Sequence, residues 1–171
     1  MKKIDQALCT ALKSRHYHEA KDLLKKGADA NAVFEDKHHS LEDYFAHGNV
    51  VKMLELLCDY DLDINRKDHY DHTLLETAIY LCDKKMFQFL LKTGKQNLRT
   101  KTSFGISYLC LALKARQKYA CDKCFVVGLL EAGADWRQDK CFVIDEVEAM
   151  EYRENFSKLA SFLVKSAVFF K

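Results

Sequence analysis

The sequence predicts an all-α fold built from short, paired helices, and three observations carry the prediction. Proline is absent from the 171 residues, and signals for strands are few. Apolar residues recur at helical spacing in short segments: Leu8, Ala11 and Leu12; then Ala20, Leu23 and Leu24; then Val50, Met53, Leu54 and Leu57. Segment ends fall on double leucines at Leu23-Leu24, Leu56-Leu57, Leu90-Leu91 and Leu129-Leu130, at intervals of 33, 34 and 39 residues. A fixed period of that length is the mark of a repeat architecture.

The elements follow in order. "LLKKGADANA" (23 to 32) reads as a helix end. Gly27 can take the left-handed conformation that closes a helix, and Lys25 and Lys26 suit the negative end of its dipole. In the second unit Ser40 and Asp43 stand at N-cap and N3, and Gly48 with Asn49 marks the turn between two helices. Gly48 is expected to supply only compactness there. The third unit, "DHYDHTLLETAIYLCDKKMFQFLLKTG" (68 to 94), is whole. Thr73 is expected to cap a helix with Glu76 reaching back to it; that helix runs to about Leu81, and a second from Lys84 to Lys92 ends at Gly94. The fourth closes on "LLEAGADW" (129 to 136), with Gly133 expected at positive φ. It also carries an extra "KYACDKC", which is expected to lengthen the link between its helices.

Composition bounds the function. At 49% hydrophobic and 30% charged, the chain can bury one core and is expected to form a single domain. No apolar run approaches the roughly 18 residues of a membrane span. The opening "MKKIDQALCTALKSRHYHEA" is too polar for a signal peptide. Its 27 basic and 25 acidic residues are interspersed, which argues against a nucleic-acid footprint. Seven cysteines without a secretion signal suggest a reducing, cytoplasmic compartment and free thiols. Cys9, Cys58, Cys82 and Cys110 are read as small buried hydrophobes.

With the period and the helix ends in place, the chain resembles the ankyrin-repeat family. "LLKKGADAN" (23 to 31) and "LLEAGAD" (129 to 135) match the second half of that family's unit closely; "TLLETAI" (73 to 79) and "SYLCLAL" (107 to 113) match its first half loosely. The resemblance implies a solenoid of stacked helix-turn-helix units with hairpin loops. Its units would be an N-terminal cap (1 to 32), repeats at 33 to 65, 66 to 98 and 99 to 137 with an insertion near 117 to 123, and a C-terminal cap (138 to 171). The family's Thr-Pro is nowhere intact. Lys37 and Asp71 stand where its turn glycine belongs, and Tyr60 where a helix-ending glycine is usual.

Candidate chemistry is sparse. Cys121-x-x-Cys124 invites a zinc or redox reading, but no second close pair completes a four-ligand site. His16 occupies the family's structural histidine position, and His38-His39 has no partner set. Glu146 and Glu148 share a helix with Glu151 and Glu154 and read as a solvated acidic face. Trp136 is expected to pack against the cap. No G-x-S-x-G, P-loop or H-E-x-x-H is present, so an enzyme is not expected, and no cofactor or metal is assigned.

The resemblance implies that the hairpin tips and the exposed positions of each first helix form one concave, partner-binding face. By register this places Glu35, Asp36, His38, Ala46 and His47 there from the second repeat. The third adds His69, Tyr70, His72, Tyr80 and Leu81, and the fourth adds Ser103, Phe104, Ile106, Lys114 and Ala115. Tyr70, Tyr80 and Phe104 are the expected anchors, because aromatics dominate interface energetics. Four histidines on one face, His38, His47, His69 and His72, suggest pH-sensitive binding. The expected function is a non-enzymatic, monomeric module that binds another protein; a metal- or redox-responsive element on Cys121 and Cys124 is the alternative. The chain also resembles stand-alone ankyrin proteins of viruses and intracellular bacteria, which implies an effector acting in a host cytoplasm.

Overall fold

The computed structural model describes residues 1–119 and 124–134. Cys121, Trp136, Cys141, the acidic segment around Glu146 and the expected C-terminal cap lie outside them. The chain divides into two units, Met1–Gln138 and Asp139–Lys171, and every described residue belongs to the first. The described residues are helical with no strand. In order they form α1 (Lys3–Lys13), α2 (Tyr17–Lys25), α3 (Ala32–Glu35), α4 (Leu41–Phe45), α5 (Val50–Cys58), α6 (Leu74–Tyr80), α7 (Lys84–Lys92), α8 (Tyr108–Tyr119) and α9 (Cys124–Glu131).

Contacts arrange these helices in two rows. α1 packs on α2, α6 on α7 and α8 on α9. Along one row α1 meets α4, α4 meets α6 and α6 meets α8; along the other α5 meets α7 and α7 meets α9. With 5 and 7 residues, α4 and α6 are too short to persist alone, so burial between neighbours must hold them. Leu8, Leu12, Leu41, Phe45, Leu74, Leu75 and Ile79 fill the first row with no measurable exposure. Met53, Leu54, Leu57, Met86, Leu90 and Leu129 do the same in the second. Each such side chain contributes about 1.5–3 kcal/mol relative to exposure.

Left-handed residues punctuate the chain in three series. Arg15 (φ 62), Gly48 (φ 83) and Cys82 (φ 50) turn the chain from a first helix to a second. Gly27 (φ 90), Asp61 (φ 60), Gly94 (φ 65) and Gly133 (φ 89) end second helices, while Asp71 (φ 67) and Gly105 (φ 71) shape loops. At the second-helix ends the N–H groups of Ala28, Leu62 and Ala134 reach back to the carbonyls of Leu23, Leu57 and Leu129 at 3.1, 3.2 and 2.9 Å. These bonds satisfy carbonyls that the helix leaves open.

At the second exit the left-handed residue is Asp61, one position after Tyr60; an Asp tolerates that conformation better than a ring-bearing residue. Three sequence expectations need correction. Gly48 supplies more than compactness: its φ is positive, and a Cβ there would lie 3.2 Å from Arg15 Nε. The box at Thr73 is half formed. Thr73 Oγ1 accepts from the Glu76 N–H at 3.2 Å, but the Glu76 carboxylate turns away to Ser103. At Ser40 the box closes, the Ser40 N–H donating to Asp43 Oδ2 at 2.8 Å. Finally, Gln117, Lys118 and Tyr119 extend α8 instead of entering the link.

Loops are joined across units by side chains. Asn31 donates to the Asp61 carbonyl at 3.1 Å and accepts from the Asp63 N–H at 2.8 Å. Asn65 repeats this one unit on, to the Lys95 carbonyl at 2.8 Å and from the Asn97 N–H at 2.8 Å. Arg99 occupies the next position in the series, and the amide side chain ends there.

Gly128 sets the approach of α9 to α7. A Cβ on it would lie 2.9 Å from Phe87 Cε1 and 3.2 Å from Leu91 Cδ1, and the Phe87 ring is already held against Phe125 at 4.7 Å between centroids. Gly128→Val is therefore expected to destabilise by about 1–3 kcal/mol through overpacking. Val127→Ala, at an exposed position on the same helix, should change stability far less. Chemical denaturation midpoints of the two variants check this; equal midpoints would mean that α7 and α9 are not in close contact.

Candidate functional site

Two loops present the aromatic residues, and each is built by local hydrogen bonding. In the first, the Asp68 N–H donates to the His72 carbonyl at 2.9 Å, and Asp68 Oδ1 accepts from the N–H groups of Tyr70 and His72 at 2.9 Å each. Its other oxygen accepts from the Leu41 N–H at 3.2 Å, tying the loop to the start of α4. In the second, the Thr102 N–H donates to the Ile106 carbonyl at 2.8 Å. The Ser103 N–H and hydroxyl donate to the buried Glu76 carboxylate of α6. Asp71 and Gly105 hold corresponding left-handed positions in the two loops.

These loops and the end of α6 bring five of the expected residues together. Ring centroids run from His69 to Tyr70 (3.8 Å), Tyr70 to His72 (6.2 Å), His72 to Tyr80 (6.1 Å) and Tyr80 to Phe104 (6.0 Å). Folding leaves Tyr70 52% and Phe104 62% exposed, against nearly complete burial of Phe34, Phe45, Phe87 and Phe125 in the core. A surface ring of that size, supported from one side by other rings, is a ready anchor for a partner.

The remaining expected residues divide. Glu35, His38, Ala46, His47 and Lys114 are exposed; Leu81, Ser103 and Ile106 are half-buried; Ala115 is buried. Glu35 pairs with Arg66 at 2.8 Å. Among the described residues no ring contact joins His38 or His47 to the aromatic run. Asp36 is no contact residue: it is 4% exposed and its carboxylate is used internally. It accepts from Tyr44 Oη at 2.5 Å, from the His38 N–H at 3.0 Å and from His39 Nδ1 at 3.0 Å, with Lys13 Nζ at 3.9 Å. Burial acts to raise the Asp36 pKa, but hydrogen bonds from Tyr44, the His38 N–H and His39 outweigh it and hold the carboxyl below its ordinary range. Burial, then the Asp36 bond, pushes the Tyr44 phenol far up. Burial also raises the Cys9 thiol, which suits a packing role.

Unit register alone puts Asp36 on the face, because register ignores the alternation of burial within the loop, where Glu35 and Lys37 are exposed and Asp36 is buried. A signal existed. Asp36 and Asp68 recur 32 residues apart and Asn31 and Asn65 34 apart, and polar residues of one type recurring at about one unit point to repeated internal hydrogen bonding.

Cysteine chemistry also departs from expectation. Cys9 and Cys58 are free thiols, but Cys82 is disulfide-bonded. Burial raises the Cys58 thiol pKa. Among the described residues no group of three or more His, Cys, Asp or Glu is placed to hold a metal ion, and no helix is long and apolar enough to cross a membrane. The chain matches no family model and no curated protein.

Two outcomes are expected. Because the Asp36 pKa is depressed on folding, its contribution to stability is present above the unfolded carboxyl value of about 3.9 and lost as pH falls through the lower folded value. Asp36→Asn should therefore cost about 1–3 kcal/mol at neutral pH and flatten the acid limb of a urea-midpoint titration; an unchanged acid limb would contradict the carboxylate's role. Alkylation of unfolded, unreduced protein should modify Cys9 and Cys58 and spare Cys82 until reductant is added. Peptide mass mapping reads the result, and immediate labelling of Cys82 would rule out the bond.

Proposed function

We propose that the chain is an ankyrin-type solenoid whose concave face docks a partner protein through the aromatic run from His69 to Phe104. The observation that carries this reading is the paired exposure of Tyr70 and Phe104, linked through His72 and Tyr80. Both rings sit on loops anchored by buried carboxylates, Asp68 and Glu76. A face built on such loops is largely preorganised, which lowers the ordering cost of association. Support for the solenoid comes from the two helix rows, the left-handed residues at intervals near one unit, and the Asn31 and Asn65 links between successive loops. Non-enzymatic action as a monomer, within a cytoplasm or a host cytoplasm, belongs to the same reading.

One observation favours a second, redox-responsive reading. Cys82, next in sequence to Leu81 and two residues from Tyr80, is disulfide-bonded, so reduction would act beside the proposed face. In the sequence the same reading rests on Cys121 with Cys124.

The docking reading is tested with a photo-crosslinking amino acid placed at Tyr70, at Phe104, or at the exposed Lys52 of α5. Crosslinks to one protein species from the two loop positions but not from Lys52 are expected, competed by unlabelled protein. The Tyr70→Ala/Phe104→Ala variant should compete at least about thirtyfold less well while keeping its thermal transition, since aromatic anchors contribute about 2 kcal/mol or more. Equal competition by the variant would remove the aromatic run from the function.

A further inference from the structure

The aromatic face has a charge bias that its composition hides. Every carboxylate of its loops is already engaged within the fold. Glu35 is paired with Arg66 at 2.8 Å and Asp71 with Lys67 at 2.7 Å. Asp36, Asp68 and Glu76 are buried and accept hydrogen bonds from backbone N–H groups. Lys37, in the loop one unit before Tyr70, and Lys114 on α8 are exposed and form no ion pair among the described residues. A partner approaching these loops therefore meets rings and exposed lysines, and, among the described residues, every loop carboxylate it meets already has a partner. A basic segment would have to displace Arg66 or Lys67 from its ion pair to find a counter-charge.

Resting on the docking reading, we propose that the partner contacts this face with an acidic, extended polypeptide segment carrying an apolar residue, the carboxylates flanking Lys37 and Lys114 and the apolar side chain seated against Tyr70 and Phe104. Charge complementarity of this kind steers association and excludes wrong partners more than it adds affinity. Single-stranded nucleic acid, the other anionic polymer that uses aromatic platforms, fits less well. Base stacking needs a series of open ring faces, whereas the rings here are tilted against one another, at interplanar angles of 45°, 35°, 46° and 65° along the run.

The test uses the full chain and three fluorescent probes of similar length: a Glu/Leu peptide, a Lys/Leu peptide and an oligodeoxythymidylate, followed by anisotropy. Saturable binding of the Glu/Leu peptide alone is expected, weakening as salt is raised. Tyr70→Ala/Phe104→Ala should reduce it on the order of tenfold or more, and Lys37→Glu/Lys114→Glu should reduce it and lessen its salt dependence, with both variants retaining wild-type thermal unfolding. Aromatic-dependent binding of the Lys/Leu peptide would overturn the acidic partner while leaving the docking reading intact. Aromatic-dependent binding of the oligonucleotide would replace a protein partner with nucleic acid. Binding of no probe, or Glu/Leu binding indifferent to both variants, overturns the proposal, and the crosslinking experiment then decides the docking reading separately.

Discussion

Asn31 and Asn65 impose the constraint on which the described structure depends. Each amide side chain spends a donor and an acceptor on the backbone of the following loop, at Asp61 and Asp63 in one case and at Lys95 and Asn97 in the other. Helices as short as α4 and α6 hold their shape only through neighbours. Hydrophobic burial is non-directional, so leucine contacts alone would tolerate a range of offsets between units. Two directional bonds per junction narrow that range.

That register determines what reaches the surface. Asp68 shapes its own loop and also takes the Leu41 N–H from the start of α4, while Glu76 reaches forward from α6 to Ser103. The position of Phe104 relative to Tyr80 thus depends on a buried carboxylate in the preceding unit. Removing such a carboxylate would leave loop N–H groups without acceptors and loosen the face, even though neither Asp68 nor Glu76 is exposed to a partner.

The helical class, the spacing of helix ends and the bounds of α7 were all legible in the sequence, because apolar periodicity and terminal glycines are local signals. Tyr70 and Phe104 were legible as exposed rings because loop positions one unit apart share an environment. Unit register alone misplaces Asp36 for a physical reason: whether a loop carboxylate faces solvent or its own backbone depends on local φ/ψ values, to which only its recurrence at Asp68 points. The same holds for Glu76, whose carboxylate accepts from the Ser103 N–H and hydroxyl one unit away instead of from the Thr73 N–H. The bond at Cys82 could not be read either, since thiol pairing depends on proximity in space.

The central claim is that side-chain amides lock successive loops, and amide hydrogen exchange tests it most directly. Asp63 and Asn97 are exposed loop residues, so their N–H groups should exchange quickly unless Asn31 and Asn65 accept from them. Slow exchange at both positions is expected, with the Asp63 amide becoming fast in Asn31→Ala and the Asn97 amide in Asn65→Ala while core amides stay protected. Fast exchange at both sites in the unmodified protein would contradict the lock, and with it the fixed register that the aromatic face requires.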